Sequence, residues 1–357
     1  MTLVLKSNVN LVSGRVTDNL TVQPMAYADF RTGDYFVDGQ SQSISDIITV
    51  NQSAVSGVYD LLGNYTQTPP NSARISVDRG SLEKGLLIEE TTNNILVDPL
   101  NVKNQTVTLN SSASSLSTKA FLLSVVGSGS VRMEIPEDNY NETATEGKPI
   151  YFRPQVAGSL TASIFVEGVV EYASLIIPRS PVEPVIRSDA AYVNDEVKLK
   201  DSIVGNLEEF TVIIEFFTPT RLFPAHYLPN PYAGILQVQG AAFGGLGVLT
   251  LSRHEPETGG YIRFRKTTSQ TLSTLTDSSS LSHKNVVAIR VGNSDASFAI
   301  NGQYGGEFTH ELDSITDIFI GGGSAVSPSR TLYVQQLAVV DSQLNNADLE
   351  KASSRFT

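Results

Sequence analysis

The sequence predicts an all-β protein built from β-sandwich modules. Short runs rich in Val, Ile, Leu, Thr and Phe recur along the chain, and clusters of Gly, Ser, Asn and Pro interrupt them. Helical periodicity of real length occurs only near the C-terminus. Short strands separated by turn residues at this spacing are typical of antiparallel sandwiches. With 357 residues, the chain is long enough for two or three domains.

Composition excludes several classes of protein. Hydrophobic residues make up 40% of the chain and charged residues 17%, which is enough apolar material for packed cores and excludes wholesale disorder. The net charge of −12, without any basic run, argues against nucleic acid as a partner, because phosphate binding needs clustered Lys and Arg. The absence of cysteine excludes disulfides and thiolate metal sites.

The N-terminal residues 1–13 alternate apolar and polar side chains, which is a strand pattern and not that of a secretory leader. No apolar run approaches the roughly 18 residues of a membrane span. We therefore expect no membrane contact.

Two segments rich in Pro and polar residues, 91–102 and 178–185, predict the domain boundaries. They divide the chain into an irregular N-terminal region (1–96), a small β-sandwich (97–190) and a larger β module (191–357). The first region contains Gly- and Asp-rich stretches such as residues 31–39. We expect it to wrap against a neighbour more than it folds alone.

Strand predictions follow the apolar runs in the second and third sections. In the second section they cover residues 106–109, 119–126, 130–135, 161–166 and 172–177. In the third they cover residues 210–217, 234–239, 247–252, 260–266, 286–291, 297–300, 315–320 and 331–340. One helix is predicted over residues 344–353, with Asn345 placed to cap it and Asp348 three residues later.

Catalysis is not expected from the acidic residues. Glycan-cleaving enzymes need two carboxylates facing each other across the sugar, and on one strand this requires acids two or four residues apart. Glu215 stands alone within its predicted strand. The acids with suitable spacing fall between predicted strands, namely Glu255 with Glu257, and Glu311 with Asp313. We predict no catalytic residues, and no metal or cofactor.

Other acidic groups have structural interpretations. Glu208 and Glu209 sit together at the start of a predicted strand. Residues 134–142 are acid-rich, and their Pro and Asn residues predict a loop. A solvated loop is the favoured interpretation, and a calcium site with oxygen ligands is the alternative.

One Pro-stiffened stretch, residues 221–232, predicts a glycan-binding loop between two strands. Sugar rings stack on aromatic faces while amide and guanidinium groups bind their hydroxyls, and proline lowers the entropy cost of ordering. The candidate ligand-binding residues are Arg221, His226, Tyr227, Asn230 and Tyr232. In the alternative, Phe223 and Leu228 plug the sandwich end and the tyrosines contact a neighbouring subunit.

Residues 85–96, Gly-Leu-Leu-Ile-Glu-Glu-Thr-Thr-Asn-Asn-Ile-Leu, resemble a motif of structural proteins from tailed bacterial viruses, the head spike, collar and tail fibre proteins. Residues 47–59 and 73–77 resemble strands that precede the motif in that group. Asn51 and Ser76 stand where the group has Arg and Asp.

The motif also has a physical interpretation. Adjacent residues of a strand point to opposite faces, so Glu89 and Glu90 would not converge on one ligand. We expect Leu86, Leu87 and Ile88 to anchor a strand. We expect the neighbouring amides of Asn93 and Asn94 to bind backbone groups.

The group often carries a C-terminal laminin-G or concanavalin A-like jelly roll, which residues 299–302 and 332–341 resemble. The resemblance implies that residues 1–96 attach to the virion and that residues 191–357 form this jelly roll. It implies a virion-surface location, with other virion proteins (capsid, collar or tail) and host surface glycans as partners. It further implies a homo-oligomer, for which a trimer is favoured. The alternatives are a capsid decoration protein that stabilises the particle without a receptor and, third, an enzyme that degrades surface polysaccharide.

Overall fold

The computed structural model describes residues 14–52, 56–78, 81–89, 94–111, 120–155, 158–177, 195–217, 232–240, 248–254, 261–266, 270–276, 284–310, 312, 314–321 and 332–354. The strand predicted for residues 1–13 lies outside these ranges. The predicted all-β class is confirmed, because strands dominate the described chain and its helices are few and short.

The strands before the small sandwich are β1 (Ala26–Asp29), β2 (Asp34–Val37), β3 (Gln40–Ser41), β4 (Ile48–Asn51), β5 (Ser56–Tyr59), β6 (Tyr65–Thr68), β7 (Ile75–Val77) and β8 (Lys84–Ile88). Those of the small sandwich are β9 (Gln105–Ser111), β10 (Phe121–Val126), β11 (Ser130–Ile135), β12 (Tyr140–Thr145), β13 (Ile150–Phe152), β14 (Gly158–Glu167) and β15 (Tyr172–Ile176).

The remaining strands are β16 (Glu196–Leu199), β17 (Phe210–Phe217), β18 (Tyr232–Gly240), β19 (Val248–His254), β20 (Tyr261–Lys266), β21 (Gln270–Thr276), β22 (Lys284–Val291), β23 (Asp295–Ile300), β24 (Gln303–Thr309), β25 (Ile315–Ile320) and β26 (Leu332–Val340). The helices are α1 (Ile44–Ile47), α2 (Asp201–Val204) and α3 (Asn346–Ser353), with 3-10 turns at Val16–Asn19 and Pro136–Asp138.

Two antiparallel sheets form the large sandwich. One has ten strands in the order β24-β23-β22-β17-β26-β1-β2-β3, with β8 also paired to β26 and β7 paired to β8. The other runs β21-β20-β19-β18-β25-β16-β4. Val212, Ile214 and Phe216 of β17 share one core with Leu236 and Val238 of β18. The alternate residues of β17 are also buried, because α3 and the first 3-10 turn cover the outer face of the ten-stranded sheet. This double burial explains the continuous apolar run of β17.

The small sandwich packs the sheet β13-β10-β15 against the sheet β12-β11-β14-β9. Strand β11 alternates half-buried and buried residues, so its buried side chains Val131, Met133 and Ile135 enter the core while the intervening ones face outward. The predicted small sandwich of the middle section therefore has its own core.

The small sandwich is an insertion into the large one. Strand β8 ends before it and β16 begins after it, yet β1 and β8 both pair with β26, and β4 pairs with β16. The described part of residues 1–96 is thus more regular than we expected, since three of its strands pair with strands of residues 191–357. The expectation that this region wraps against a neighbour stays a prediction. Residues 31–39 form the turn and second strand of the β1–β2 hairpin. The ten-stranded sheet needs these strands as backbone hydrogen-bond partners, and such distant pairing leaves no mark on the local sequence pattern.

Residues 134–142 were expected to form a loop, and the structure corrects this expectation. Pro136 begins a 3-10 turn and Asn139 adopts a left-handed conformation, which reverses the chain between β11 and β12. Strand β12 was missed because its residues are mostly exposed and polar, and only Ala144 is buried. Strands β13, β16, β21 and β24 were also missed. The C-terminal helix and its cap are confirmed, since Asn345 Oδ1 accepts a hydrogen bond of 3.0 Å from the backbone of Asp348.

Candidate functional site

The large sandwich has two ends that differ in what they connect. At the joint end, the chain leaves β8 after Ile88 for the small sandwich and returns at Glu196 in β16. The opposite end, the free end, holds the start of β17 at Phe210 and the end of β22 at Val291, which are paired. Strand β17 runs from the free end to the joint end.

The predicted glycan-binding residues Arg221, His226, Tyr227 and Asn230 lie outside the described residues. Tyr232 begins β18, where it is paired with His254 of β19. The strands flanking residues 218–231 end and begin at the joint end. The proposal of a binding loop there stays a prediction.

A buried ion cluster closes the joint end. Arg74 Nη1 donates to Glu89 and its Nη2 donates to Asp195, and all three side chains are buried. The Glu89 backbone N–H donates to Asp195 Oδ2 at 2.6 Å. Because Glu89 follows β8 and Asp195 precedes β16, one guanidinium ties both connections to the small sandwich.

Burial by itself lowers the pKa of Arg74, but the charges of Asp195 and Glu89 outweigh it and raise that pKa above its ordinary value. The cation is therefore permanent, and the two carboxylates are neutralised inside the protein. The structural interpretation of Glu89 is confirmed, whereas Glu90 lies outside the described residues.

Two further residues of the motif have structural roles. Asn94 donates to the Tyr172 hydroxyl and the Ala173 carbonyl, and accepts from the backbone of Leu96 and Leu175, as expected for an amide that binds backbone. A Cβ at Gly85 would lie 2.8 Å from the Val334 carbonyl oxygen, so the pairing of β8 with β26 requires glycine there.

Aromatic packing completes the joint. Tyr59 and Tyr65 of the β5–β6 hairpin join Val126 and Tyr172 of the small sandwich in one apolar cluster. The rings of Tyr65 and Tyr172 are 6.5 Å apart. The joint therefore combines a neutralised ion cluster with aromatic contacts.

Two carboxylates that the sequence pattern does not connect approach each other on the outer face of the ten-stranded sheet. Asp29 of β1 accepts from Arg31 Nε at 2.9 Å and from Nη2 at 2.6 Å, and Arg31 Nη1 lies 3.6 Å from Glu215 Oε2. Gln336 lies between their strands, donates to Glu215, and accepts from Tyr27 at 2.8 Å.

This arrangement holds the segment around the first 3-10 turn in place. Both carboxylates contact Arg31, and the pKa of Arg31 is raised because its hydrogen bond to Asp29 and both negative charges outweigh burial. Gln336 also accepts from the Val16 N–H at 3.0 Å and donates to the Gly14 carbonyl, so the first 3-10 turn lies over the cluster.

The candidate functional site is an open cleft of about 510 Å³ at the free end. Three chain segments build it: the turn after α2, the β22–β23 turn, and the approach to β25. Its described lining consists of Val204, Gly205, Leu207, Glu208, Gly292, Asn293, Leu312, Ser314 and Ile315.

Hydrogen bonds fix the polar rim of the cleft. Asn293 Nδ2 donates to Glu209 Oε1 at 2.7 Å, which links the β22–β23 turn to the start of β17. The buried His310 imidazole accepts from the Leu312 N–H through Nδ1 at 3.2 Å, and its Nε2 lies 3.1 Å from the Asp295 carbonyl oxygen. These contacts position Leu312 in the cleft wall.

The lining combines exposed polar groups with an apolar floor. Glu208, Asn293 and Ser314 are exposed, whereas Leu207 and Leu312 are buried. A carboxylate, an amide and a hydroxyl can bind sugar hydroxyls, while the aliphatic side chains contact the C–H face of a ring. Among the described lining residues there is no Lys, Arg or His to neutralise an anionic ligand. Sequence reasoning noted the Glu208–Glu209 pair but had no signal for the cleft.

Within the described part of the chain, no group of three or more His, Asp or Glu side chains could hold a metal ion. The acids Glu255, Glu257, Glu311 and Asp313 lie outside it. No helix among the described residues has the length and apolar content needed to cross a membrane.

No protein-family model and no curated protein matches this sequence. Among solved structures, the chain is similar to the carbohydrate-binding module CBM40 of the Ruminococcus gnavus IT-sialidase bound to α2,3-sialyllactose, with 16% identity over 43% of this chain and 86% of that one and a TM-score of 0.31. It is also similar to the Trypanosoma rangeli sialidase in complex with sialic acid, with 19% identity over 44% of this chain and 26% of that one and a TM-score of 0.34.

Proposed function

We propose that this chain is a structural protein on the surface of a tailed bacterial virus, a head or collar spike or a tail fibre, that contacts host glycans without cleaving them. The virion part of the proposal is supported by the resemblance of residues 85–96 to a motif of such proteins. That motif supplies Gly85, Glu89 and Asn94 to the joint between two sandwiches. Other virion proteins are the expected partners, and the resemblance implies a homo-oligomer.

The observation that carries glycan contact is the cleft at the free end. It lies at the end of the large sandwich opposite the connections to the small one, so those connections do not cover it. Glu208, Asn293 and Ser314 provide acceptors and donors suited to hydroxyl groups. Because the described lining has one carboxylate, Glu208, and no cationic side chain, we propose a neutral or amine-bearing glycan and expect anionic sugars to be rejected.

A glycan array with purified full-length chain tests this proposal. We expect binding to neutral or amine-bearing oligosaccharides, reduced about tenfold or more in an Asn293→Ala, Ser314→Ala double variant. Thr108→Ala, an exposed residue of the small sandwich, is the matched control and should bind like wild type. Preferential binding of sialylated or sulfated glycans would overturn the proposed specificity.

The same assay separates the two candidate regions of the large sandwich. Tyr227→Ala and Tyr232→Ala alter the loop predicted from sequence, whereas the double variant alters the free end. If only the tyrosine variants lose binding, the free-end cleft is not the site. If the wild-type chain binds no glycan, the glycan part of the proposal fails. If it binds a glycan and no variant changes that binding, neither region is the site.

Experiments on virus particles test the proposal that the chain is a virion surface protein. Purified protein should compete with virus for adsorption to host cells, and labelled antibodies should locate it on the particle by electron microscopy. The alternative, a decoration protein, predicts no effect on adsorption and particles that lose stability without it. Release of reducing sugar from host capsule would overturn the proposal that the chain is not an enzyme.

A further inference from the structure

Exposed apolar side chains concentrate on two turns, which are connected by a cleft that Leu61, Leu62 and Lys84 line. Of the six large hydrophobic side chains that are exposed in the described residues, three are leucines in these turns. Leu61 and Leu62, in the β5–β6 turn, are 66% and 86% exposed, and Leu82, in the β7–β8 turn, is 65% exposed. We call these three residues the leucine patch. Scattered exposed leucines are ordinary, but a cluster marks an interaction surface.

Hydrogen bonds to the Asp60 carboxylate fix the conformation of the β5–β6 turn. Asp60 Oδ1 accepts from the backbone N–H groups of Leu62 and Asn64, both at 2.8 Å, and Oδ2 accepts from Asn64 Nδ2 at 2.8 Å. These hydrogen bonds, those from Asn64 above all, hold the pKa of Asp60 below its usual range. These hydrogen bonds hold the turn in a conformation that leaves both leucines exposed.

The second turn places its leucine in an unfavourable conformation. Leu82 has a φ of 61°, in the left-handed region that bulky side chains rarely adopt. Its backbone N–H donates to the Asp78 carbonyl at 2.7 Å, and the Asp78 carboxylate accepts from Ser81. A strained backbone conformation at an exposed residue points to a functional role for that residue, such as binding a partner.

An apolar cleft of about 420 Å³ adjoins the patch. Its walls are formed by Val58, Tyr59 and Thr66 of the hairpin, by Ile75 and Val77 of β7, and by Leu61 and Leu62 themselves. The same surface therefore carries protruding leucines and the cavity beside them.

Opposite charges flank the cleft. Asp60 and Lys84 both line it. Within the described chain, Lys84 makes no ion pair, and the Asp60 carboxylate accepts hydrogen bonds only inside its own turn. Each charge is available to a partner of the opposite sign.

We propose that a second copy of this chain binds the leucine patch through a two-fold symmetric contact. In such a contact the same surface is used on both sides, so the leucines of each copy enter the cleft of the other. The symmetry also brings Asp60 of one copy to Lys84 of its partner. This inference goes beyond the proposed function, because the surface lies on the β5–β8 segment and self-association does not require glycan binding.

Sedimentation velocity of the full chain, from micromolar to sub-millimolar concentrations, tests the contact. We expect a monomer–dimer equilibrium whose dissociation constant rises about tenfold or more in Leu62→Ser. Val169→Ser is the matched control, since Val169 is 64% exposed on the small sandwich, and it should leave the equilibrium unchanged. Lys84→Glu should weaken the dimer through repulsion from Asp60, and added salt should relieve that effect.

Cross-linking tests the symmetry. The chain has no cysteine, so Leu62→Cys introduces a single thiol. Because each cleft is lined by its own Leu61 and Leu62, a residue at position 62 that enters the partner's cleft lies near its counterpart. Mild oxidation should then give a covalent dimer, whereas Val169→Cys should stay monomeric. A wild-type chain that is monomeric throughout, a trimer, or a dimer unaffected by both Leu62→Ser and Lys84→Glu would overturn the proposal.

Discussion

The two ends of the large sandwich differ in how they accommodate polar and charged side chains. At the joint end, charged groups are buried and neutralised, as in the contacts of Arg74 with Glu89 and Asp195. At the free end, Glu208, Asn293 and Ser314 remain exposed around a cleft. The motif that resembles viral structural proteins belongs to the joint end. The motif of residues 85–96 therefore contributes to the joint between the two sandwiches. The residues of the free-end cleft do not belong to any motif that we identified in the sequence.

The largest effect is expected from Arg74→Met. Removing the guanidinium leaves two buried carboxylates without a cation, so the free energy of unfolding should fall by about 3–5 kcal/mol. Urea unfolding followed by far-UV circular dichroism measures it, since the chain has no tryptophan.

The matched control is Arg132→Met on the small sandwich. Arg132 pairs with Glu134 and lies 4.3 Å from the Phe165 ring centroid, on a partly exposed sheet face. Its removal should cost about 1 kcal/mol or less. Equal losses for both variants would contradict the distinction between a buried joint and an exposed surface.

A smaller effect is expected from Gly85→Ala. The new methyl group would meet the Val334 carbonyl oxygen, so β8 or β26 must shift, at a cost of about 1–3 kcal/mol. The same unfolding assay measures it. A wild-type midpoint would mean that the pairing of β8 with β26 tolerates a side chain.

Next in size is Asn345→Ala, which removes the N-terminal cap of α3. Loss of the hydrogen bond to the Asp348 N–H should cost about 1 kcal/mol. Asn206→Ala serves as the control, since its exposed side chain only donates to the Ser202 carbonyl, and it should change stability by less than about 0.5 kcal/mol.

The smallest effect on stability is expected at the free end. Asn293 is exposed, and its hydrogen bond to Glu209 is at the surface, so Asn293→Ala should cost less than about 0.5 kcal/mol. In the glycan assay the same change should weaken binding. A large loss of stability would place Asn293 with the structural residues of the joint end and remove it from the recognition surface.

Local patterns predicted many individual elements well. The apolar runs over β17 and β25 match the observed strands at both ends, and Asn345 caps α3 as expected. The same reasoning missed β12, because its exposed polar face hides the strand pattern. For the candidate site, it found the acidic pair at residues 208 and 209 but could not connect it to Asn293 or Ser314.

Strand identity, turn residues and helix caps depend on neighbours a few positions away, and the amino-acid order alone specified about half of the strands here. Pairing depends on which distant segments share hydrogen bonds and a core. Only the tertiary structure decided that β1 and β8 both pair with β26, that Asp29 meets Arg31 near Glu215, and that three segments enclose the free-end cleft. The physical reason is that backbone hydrogen bonds and apolar burial form across the whole sheet. The local sequence of a strand does not specify which distant strand it will pair with.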